Sequence, residues 1–169
     1  MNNQHPSKIE ELINHYNLLP HPEGGFFRQT YAAAELILKE ALPERFEGSR
    51  SFSTAIYFLL PHGSFSAFHR IKSDELWYFH TGSPLIVHTL SERGHMQHYL
   101  GLDLSKGQQP FLWIPKDTIF GSTVLEKESF SLVSCAVAPG FDFRDFELFE
   151  RPKLLAAYPE YREIVERLT

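Results

Sequence analysis

The chain has 169 residues, 43% of them hydrophobic and 22% charged, so it is large enough for one domain with a sizeable core, and intrinsic disorder is excluded. Sixteen Lys and Arg against 21 Asp and Glu give a net charge of −5, so we expect neither nucleic acid nor a membrane as a partner. The single cysteine, Cys135, the polar N-terminal segment and the lack of a long apolar run predict a cytoplasmic protein.

Short helices are predicted near both ends of the chain. Ser7 followed by Glu10 is typical of a capping box, and apolar residues then recur at helical spacing, which predicts a helix over residues 8–16. Pro159 suits a first helical turn, and the apolar stripe after it predicts a C-terminal helical cap within residues 152–169. Residues 33–41 favour a helix by composition, but a mobile loop fits them equally well.

The stretch between the helices is typical of short strands separated by Gly and Pro turns. The predicted strands are 51–60, 65–70, 75–81, 84–90, 96–100, 111–114, 119–125 and 130–137. None is followed by a helix of the length that a parallel crossover needs, so the strands are expected to pair antiparallel. The sequence therefore predicts an all-β sandwich or barrel with its core in residues 51–149, in a single domain of residues 1–169.

One motif lies within the second and third predicted strands. Gly63, His69, Glu75 and Gly82 follow the spacing of the first cupin motif, in which two His and a Glu bind metal, but the second His position is Ile71. The stretch beginning at Pro115 resembles the second cupin motif, although Phe120 replaces its metal-binding His. Ile and Phe side chains cannot bind a metal, so no metal and no cofactor are predicted unless an off-motif residue such as His62 or His88 takes part.

The resemblance extends over almost the whole chain to a small single-domain cupin family. The segments that carry it are residues 22–31, 53–60, 68–70 with 74–77, and 138–143. It implies a double-stranded β-helix, the cupin jelly-roll barrel found in sugar-nucleotide epimerases, and a subunit that is usually part of a homodimer. It implies no settled activity, since one fold serves many functions.

The two motif residues that can ionise are the candidate catalytic groups. The resemblance implies that His69 and Glu75 point into the barrel, and alternation along the strand places Trp77 on the same face as Glu75. On the preceding strand, alternation groups Phe65 and Ile71 with His69. Either the pair is a reaction centre with His69 as base and Glu75 as acid, or it is a buried relic of a metal-binding ancestor.

The other candidate site residues are proposed to bind the ligand. Alternation puts Arg28 and Thr30 on one face of a strand, where Arg28 is a candidate anchor for an anionic group or, alternatively, a surface ion-pair partner. Phe120 and Trp77 are expected to form an apolar wall, and Tyr57 is a candidate second acid by analogy with the related epimerases. Asp142 belongs to an edge strand or loop, with the barrel mouth as the alternative position.

Three functions follow from these residues. The first is a metal-independent isomerase or epimerase that transfers a proton on a small polar metabolite, such as a sugar derivative. The second is a non-catalytic module that binds a metabolite in the same lumen. The third, a metal-dependent oxygenase or isomerase, is disfavoured by Ile71 and Phe120.

Overall fold

The structure, a computed structural model, describes residues 7–169. Helix α1 (Lys8–Tyr16) confirms the predicted N-terminal helix and its capping box: the backbone N–H of Ser7 donates to Glu10 Oε2 at 2.7 Å, and that of Glu10 donates to Ser7 Oγ at 3.3 Å. The helix ends at Asn17, which has the left-handed conformation common at helix C-termini.

Thirteen strands follow along the described chain. They are β1 Leu19–Pro20, β2 Phe26–Ala32, β3 Leu36–Ile37, β4 Arg50–Ser51, β5 Thr54–Pro61, β6 Phe65–Ile71, β7 Asp74–Gly82, β8 Leu85–Ser91, β9 Gly94–Leu100, β10 Phe111–Ile114, β11 Ile119–Val124, β12 Phe130–Ala138 and β13 Phe146–Leu148. All eight predicted strands are present, and β10 has the predicted bounds. The first of them starts later than predicted, because the chain bends between β4 and β5.

The strands form two main sheets. One has the order β1-β2-β5-β12-β7-β10 and the other β13-β6-β11-β8-β9, while β3 and β4 form a small ribbon. Every strand pair in these sheets is antiparallel. Neighbours in a sheet are mostly distant in sequence, which is typical of a jelly roll.

Three apolar clusters hold the layers together. The central one lies between the two sheets and takes residues from both, including Phe58 and Trp77 from one and Phe120 from the other. A second cluster joins α1 to the outer face of the six-stranded sheet. The third joins the C-terminal helices to the outer face of the five-stranded sheet. Both sheets are therefore covered by apolar contacts on both faces.

The remaining helices are short. The C-terminal cap consists of α2 (Arg151–Ala157), a 3-10 turn at Pro159–Tyr161 and α3 (Arg162–Arg167). Residues 33–41 contain neither a full helix nor a structureless loop, since β3 is followed by a 3-10 turn at Lys39–Ala41. Within residues 7–169, no helix combines the length and the apolar character that crossing a bilayer requires. The homodimer and the single-domain assignment stay predictions.

Candidate functional site

A cavity of about 340 Å³ opens between the sheets, next to the central apolar cluster. Six aromatic side chains line it: Phe27, Phe58, Trp77, Phe141, Phe143 and Phe146. Its polar lining consists of His21, Glu23, Gln29, Thr54, His69, Glu75 and Asp142. A concave, mostly apolar space with a few convergent polar groups is the usual form of a small-molecule site.

Glu23 is held at the centre of the polar groups by a tight turn. It is followed by Gly24, which has a φ of +112°, and a Cβ atom at that position would overlap the carbonyl oxygen of Phe65. The turn is tied to β6 by a 2.8 Å hydrogen bond from the N–H of Ala67 to the carbonyl of Glu23. The glycine allows this close approach, which buries the Glu23 carboxylate against β6.

A bulge in β6 supplies two partners for that carboxylate. Phe120 on β11 pairs with His69, whereas Ser122 pairs with Ser66, so β6 has one extra residue between the two pairs. The bulge turns both side chains towards Glu23. Ser66 Oγ donates to Glu23 Oε1 at 2.8 Å, and His69 Nε2 lies 3.1 Å from Glu23 Oε2.

The other ring nitrogen of His69, Nδ1, determines which atoms can carry a proton in the contact between His69 and Glu23. His69 Nδ1 lies 2.7 Å from the carbonyl oxygen of Ala67, which can only accept, so Nδ1 carries a proton. The short contact between Nε2 and Glu23 then needs one further proton, carried either by the carboxyl group or by the imidazole. His69 and Glu23 therefore share a proton between two buried groups.

His21 closes the other side of Glu23. Its Nδ1 accepts a 3.3 Å hydrogen bond from the backbone N–H of Glu23, and its ring packs edge-on against Phe27 with ring centroids 4.6 Å apart. Burial lowers the pKa of His21, so its imidazole is held in the neutral form. It contributes an apolar edge and a ring nitrogen rather than a charge.

Glu75 lies on β7, in the sheet opposite the one that carries His69. Its polar neighbours are the Cys135 thiol and the Trp77 indole, and the indole N–H makes no regular hydrogen bond to a described residue. Burial raises the pKa of Glu75 to about 7, which His69 and these two neighbours only partly offset. Burial also raises the pKa of Glu23 to about 7 and lowers that of His69. Near neutral pH, the carboxyl groups of Glu23 and Glu75 are therefore each protonated in part of the molecules.

The raised pKa of Glu75 predicts a specific pH dependence. We expect Glu75→Gln to gain stability relative to the natural chain as the pH rises from about 4.5 to about 7. Over this range the folded chain keeps the Glu75 proton that the unfolded chain loses, so the folded state binds more protons and the natural protein loses stability. Glutamine does not titrate, and the difference should become constant above about pH 7.5.

Urea denaturation of both proteins at a series of pH values measures this difference. Glu92→Gln is the matched control, because Glu92 is exposed in the turn between β8 and β9 and the substitution changes the net charge equally. A difference for Glu75→Gln that does not vary with pH would contradict a carboxyl group that is protonated in the folded state.

The structure brings three of the predicted site residues together on the cavity wall: His69, Glu75 and Trp77. Their catalytic and binding roles stay predictions. Phe120 lies behind them, with its ring centroid 4.1 Å from that of His69 and 6.2 Å from that of Trp77, so it supports the wall without lining the cavity.

The other three predicted ligand-binding residues, Arg28, Thr30 and Tyr57, do not line the cavity. Arg28 is exposed on the outer face of β2, and Thr30 is exposed at a bulge in the same strand, where its hydroxyl donates to the carbonyl of Ala55 at 3.2 Å. Tyr57 is on the outer face of β5, where it packs against Tyr16 of α1 with ring centroids 4.7 Å apart. A bulge between Gln29 and Tyr31 interrupts the alternation that grouped Thr30 with Arg28, and the inward face of β2 carries Phe27 and Gln29.

Two cavity residues, His21 and Glu23, were not among the predicted site residues, and Phe65 was predicted on the wrong face of β6. His21 and Glu23 precede β2, and their signal was an acidic residue directly before two glycines, which indicates a tight turn that buries a polar group. Asp142 occupies the alternative position weighed for it and lines the cavity. The predicted grouping of Phe65 with His69 was wrong, because the bulge in β6 reverses the alternation and Phe65 packs on the outer cluster.

The donor groups of the cavity do not fit a metal ion. Both ring nitrogens of His69 are engaged, Nδ1 by the Ala67 carbonyl and Nε2 by Glu23. The motif positions of Ile71 and Phe120 present only carbon atoms. His88, an off-motif candidate, bonds to Thr123 and His95 outside the cavity. In the part of the chain that the structure describes, no three His, Cys, Asp or Glu side chains form a metal-binding group.

Comparisons with known proteins agree with this fold. The family described as Cupin superfamily (DUF985) matches residues 10–149. The uncharacterized protein YML079W of Saccharomyces cerevisiae is 29% identical over 149 residues, covering 83% of this chain and 74% of the yeast protein. Oxalate decarboxylase from Bacillus subtilis, with a TM-score of 0.54 at 14% identity over 89% of this chain and 36% of its own, shares the fold alone.

Two solved structures are much more similar. Protein SO0799 from Shewanella oneidensis has a TM-score of 0.86 at 40% identity, with 97% of this chain and 98% of that chain covered. A hypothetical protein from Leishmania major has a TM-score of 0.85 at 32% identity, with 95% and 97% covered. Sequence and structure together show that the chain belongs to the DUF985 family of the cupin superfamily.

Proposed function

We propose that the protein is a metal-independent isomerase or epimerase that moves a proton on a small polar metabolite bound in the cavity. The observation that carries this proposal is the contact between His69 Nε2 and Glu23 Oε2 at 3.1 Å, with the other ring nitrogen bonded to Ala67. It leaves one mobile proton between two buried groups that face the same small-molecule cavity.

His69 is the proposed base. The pair acts as a base once its shared proton has left to solvent, when Glu23 is ionised, His69 is neutral and the lone pair of Nε2 is free to accept a proton from the substrate. This arrangement favours proton uptake at Nε2, because the carboxylate stabilises the resulting imidazolium. Glu23 is thus a positioning residue that orients the ring and supports its charge, as the aspartate of a Ser-His-Asp triad does for its histidine.

Glu75 is the proposed acid. With its pKa raised to about 7, a substantial fraction of its carboxyl groups is protonated at neutral pH. In one turnover the substrate carbon loses a proton to His69 and the substrate gains a proton from Glu75. The protein ends with His69 protonated and Glu75 ionised, and exchange with solvent restores both groups.

The experiment that tests this function does not require a known substrate. A panel of small metabolites is incubated with the protein in deuterated water and examined by proton NMR, where a substrate loses a carbon-bound proton signal as deuterium replaces it. We expect Glu75→Gln to reduce the exchange rate by at least about 100-fold while much of the binding is kept. Tyr57→Phe is the matched control and should retain exchange, since Tyr57 lies outside the cavity.

The alternative function, a non-catalytic binding module, gives a different result in the same experiment. Ligand signals would broaden in the presence of the protein, which indicates binding, but no carbon-bound proton would exchange. The predominance of aromatic side chains in the lining is the observation that favours this reading.

A further inference from the structure

The charged groups that line the cavity are all acidic or imidazole. Glu23, Glu75 and Asp142 contribute carboxyl groups, whereas no Lys or Arg among residues 7–169 lines the cavity. Arg28, the candidate anion anchor, is on the outer face of β2. Building on the proposed function, we infer that the site takes a small organic cation with an apolar or aromatic body, in which N–H groups face the carboxylates.

An anionic ligand would lose its hydration without gaining a counter-charge. The arginine nearest in sequence to the lining acids, Arg144, is already bonded to Asp142, with Nε to Oδ1 at 2.9 Å and Nη2 to Oδ2 at 2.7 Å. Burying a carboxylate or phosphate beside Glu23 and Glu75 would add like-charge repulsion to the loss of hydration. The cavity therefore disfavours sugar phosphates, nucleotide sugars and keto acids.

The carboxylate oxygens of Glu75 have few hydrogen-bond donors nearby. Its neighbours are a thiol, which is a weak donor, and the Trp77 indole, whose N–H makes no regular hydrogen bond to any of residues 7–169. Glu23, in contrast, has Ser66 at 2.8 Å and His69 at 3.1 Å. A ligand N–H would supply the missing donor to the Glu75 oxygen that carries no proton, and a charged donor would form the stronger bond.

The aromatic walls also favour a cation. Phe141, Phe143 and Phe146 contact one another, and Phe143 and Phe146 also contact His21, with ring centroids 5.1 to 6.3 Å apart. Aromatic faces attract cations through their quadrupoles, most strongly where water is excluded. Aromatic rings and carboxylates together are the lining expected for an organic cation.

Three planar probes of nearly equal shape test this inference: benzamidine, a cation; benzamide, which is neutral; and benzoate, an anion. Isothermal titration calorimetry is performed at about pH 8, above the pKa of about 7 of Glu23 and Glu75. We expect benzamidine to bind at least about tenfold more tightly than benzamide, as one charged contact predicts, and benzoate to bind most weakly.

Three variants test whether Glu75 and Glu23 cause the preference for benzamidine over benzamide. Glu75→Gln should reduce the preference for benzamidine over benzamide to within about threefold, because the ionised acceptor is lost. Glu23→Gln should also reduce this preference, because it removes the other ionised acceptor. Circular dichroism identifies a variant that fails to fold. Glu92→Gln should keep the full preference, since it changes the net charge by the same amount at an exposed turn outside the cavity.

Two results would overturn the inference. One is benzoate binding as tightly as benzamidine or more tightly, and the other is no binding of benzamidine at millimolar concentration. The proposed function can fail separately: selective benzamidine binding without deuterium exchange in any metabolite would keep the ligand class and reject the isomerase. Deuterium exchange in an anionic metabolite would keep the isomerase and reject the cationic ligand class.

Discussion

Asp145→Ala is expected to lower the free energy of unfolding by about 3–5 kcal/mol. Arg50 and Asp145 form two parallel hydrogen bonds of 2.7 Å, from Nε to Oδ2 and from Nη2 to Oδ1, and the two residues are only 2% and 6% exposed. Removal of the carboxylate leaves a guanidinium buried without its counter-charge. The loss of the partner, rather than of the bonds alone, gives the effect its size.

Two further variants separate burial from charge. Glu166→Ala breaks an exposed ion pair with Arg162 and is expected to cost less than about 0.5 kcal/mol. The double replacement Arg50→Met with Asp145→Leu removes both buried charges and should be less destabilising than Asp145→Ala. Urea denaturation measures all three, and equal losses for Asp145→Ala and Glu166→Ala would contradict the burial argument.

Trp77→Ala is expected to cost about 3–5 kcal/mol of stability, because it removes the largest side chain of the central cluster. Trp77 is 1% exposed and packs edge-on against Phe58 and Phe120, with centroid distances of 6.1 and 6.2 Å. The space it leaves would adjoin the cavity, so the site would lose a wall as well. A lower midpoint of chemical denaturation with an unchanged slope is the expected signature.

The second tryptophan of the chain is a matched control. Trp113 lies on β10, at an edge of the six-stranded sheet, and is 60% exposed. Trp113→Ala is therefore expected to change stability by no more than about 0.5 kcal/mol, apart from any effect on association. A loss as large as that of Trp77→Ala would show that the outer face of β10 is covered in solution.

Alternation along β7 was predictable from the sequence because the strand is extended and regular where it meets the cavity. From Glu75 the inward side chains continue to Trp77 and Phe79, as the period of two requires. The pattern fails in β6, where the bulge reverses the face of Phe65. A bulge of this kind is set by contacts with neighbouring segments, which a period of two does not contain.

Alternation shows which residues share a face but not which face points inward. Both faces of the six-stranded sheet are apolar, since one meets the central cluster and the other meets α1. For β2 and β5 this symmetry made the outward face, with Arg28 and Tyr57, as plausible as the inward one. Only the packing of α1 on that face distinguishes the two.

Contacts between distant parts of the chain were beyond sequence reasoning altogether. Ser66 and Glu23 are 43 positions apart, and Arg50 and Asp145 are 95 apart. Glu23 completes the polar cluster, and Asp145 anchors the segment that brings Phe143 and Phe146 to the cavity. Each residue taken alone resembles an ordinary surface acid, and its role depends on a partner that only the fold provides.

The bulge in β6 also connects the site to the C-terminal helices. Phe68 lies within it, next to His69, and its side chain is buried in the outer cluster with Val165 and Leu168. The backbone N–H of Phe68 donates to the carbonyl of Leu168, and its carbonyl accepts from the N–H of Phe149, both at 2.9 Å. One strand residue thus links the docking of the last helix to the imidazole of His69, and fraying of that helix would disturb the contact between His69 and Glu23 from a distance.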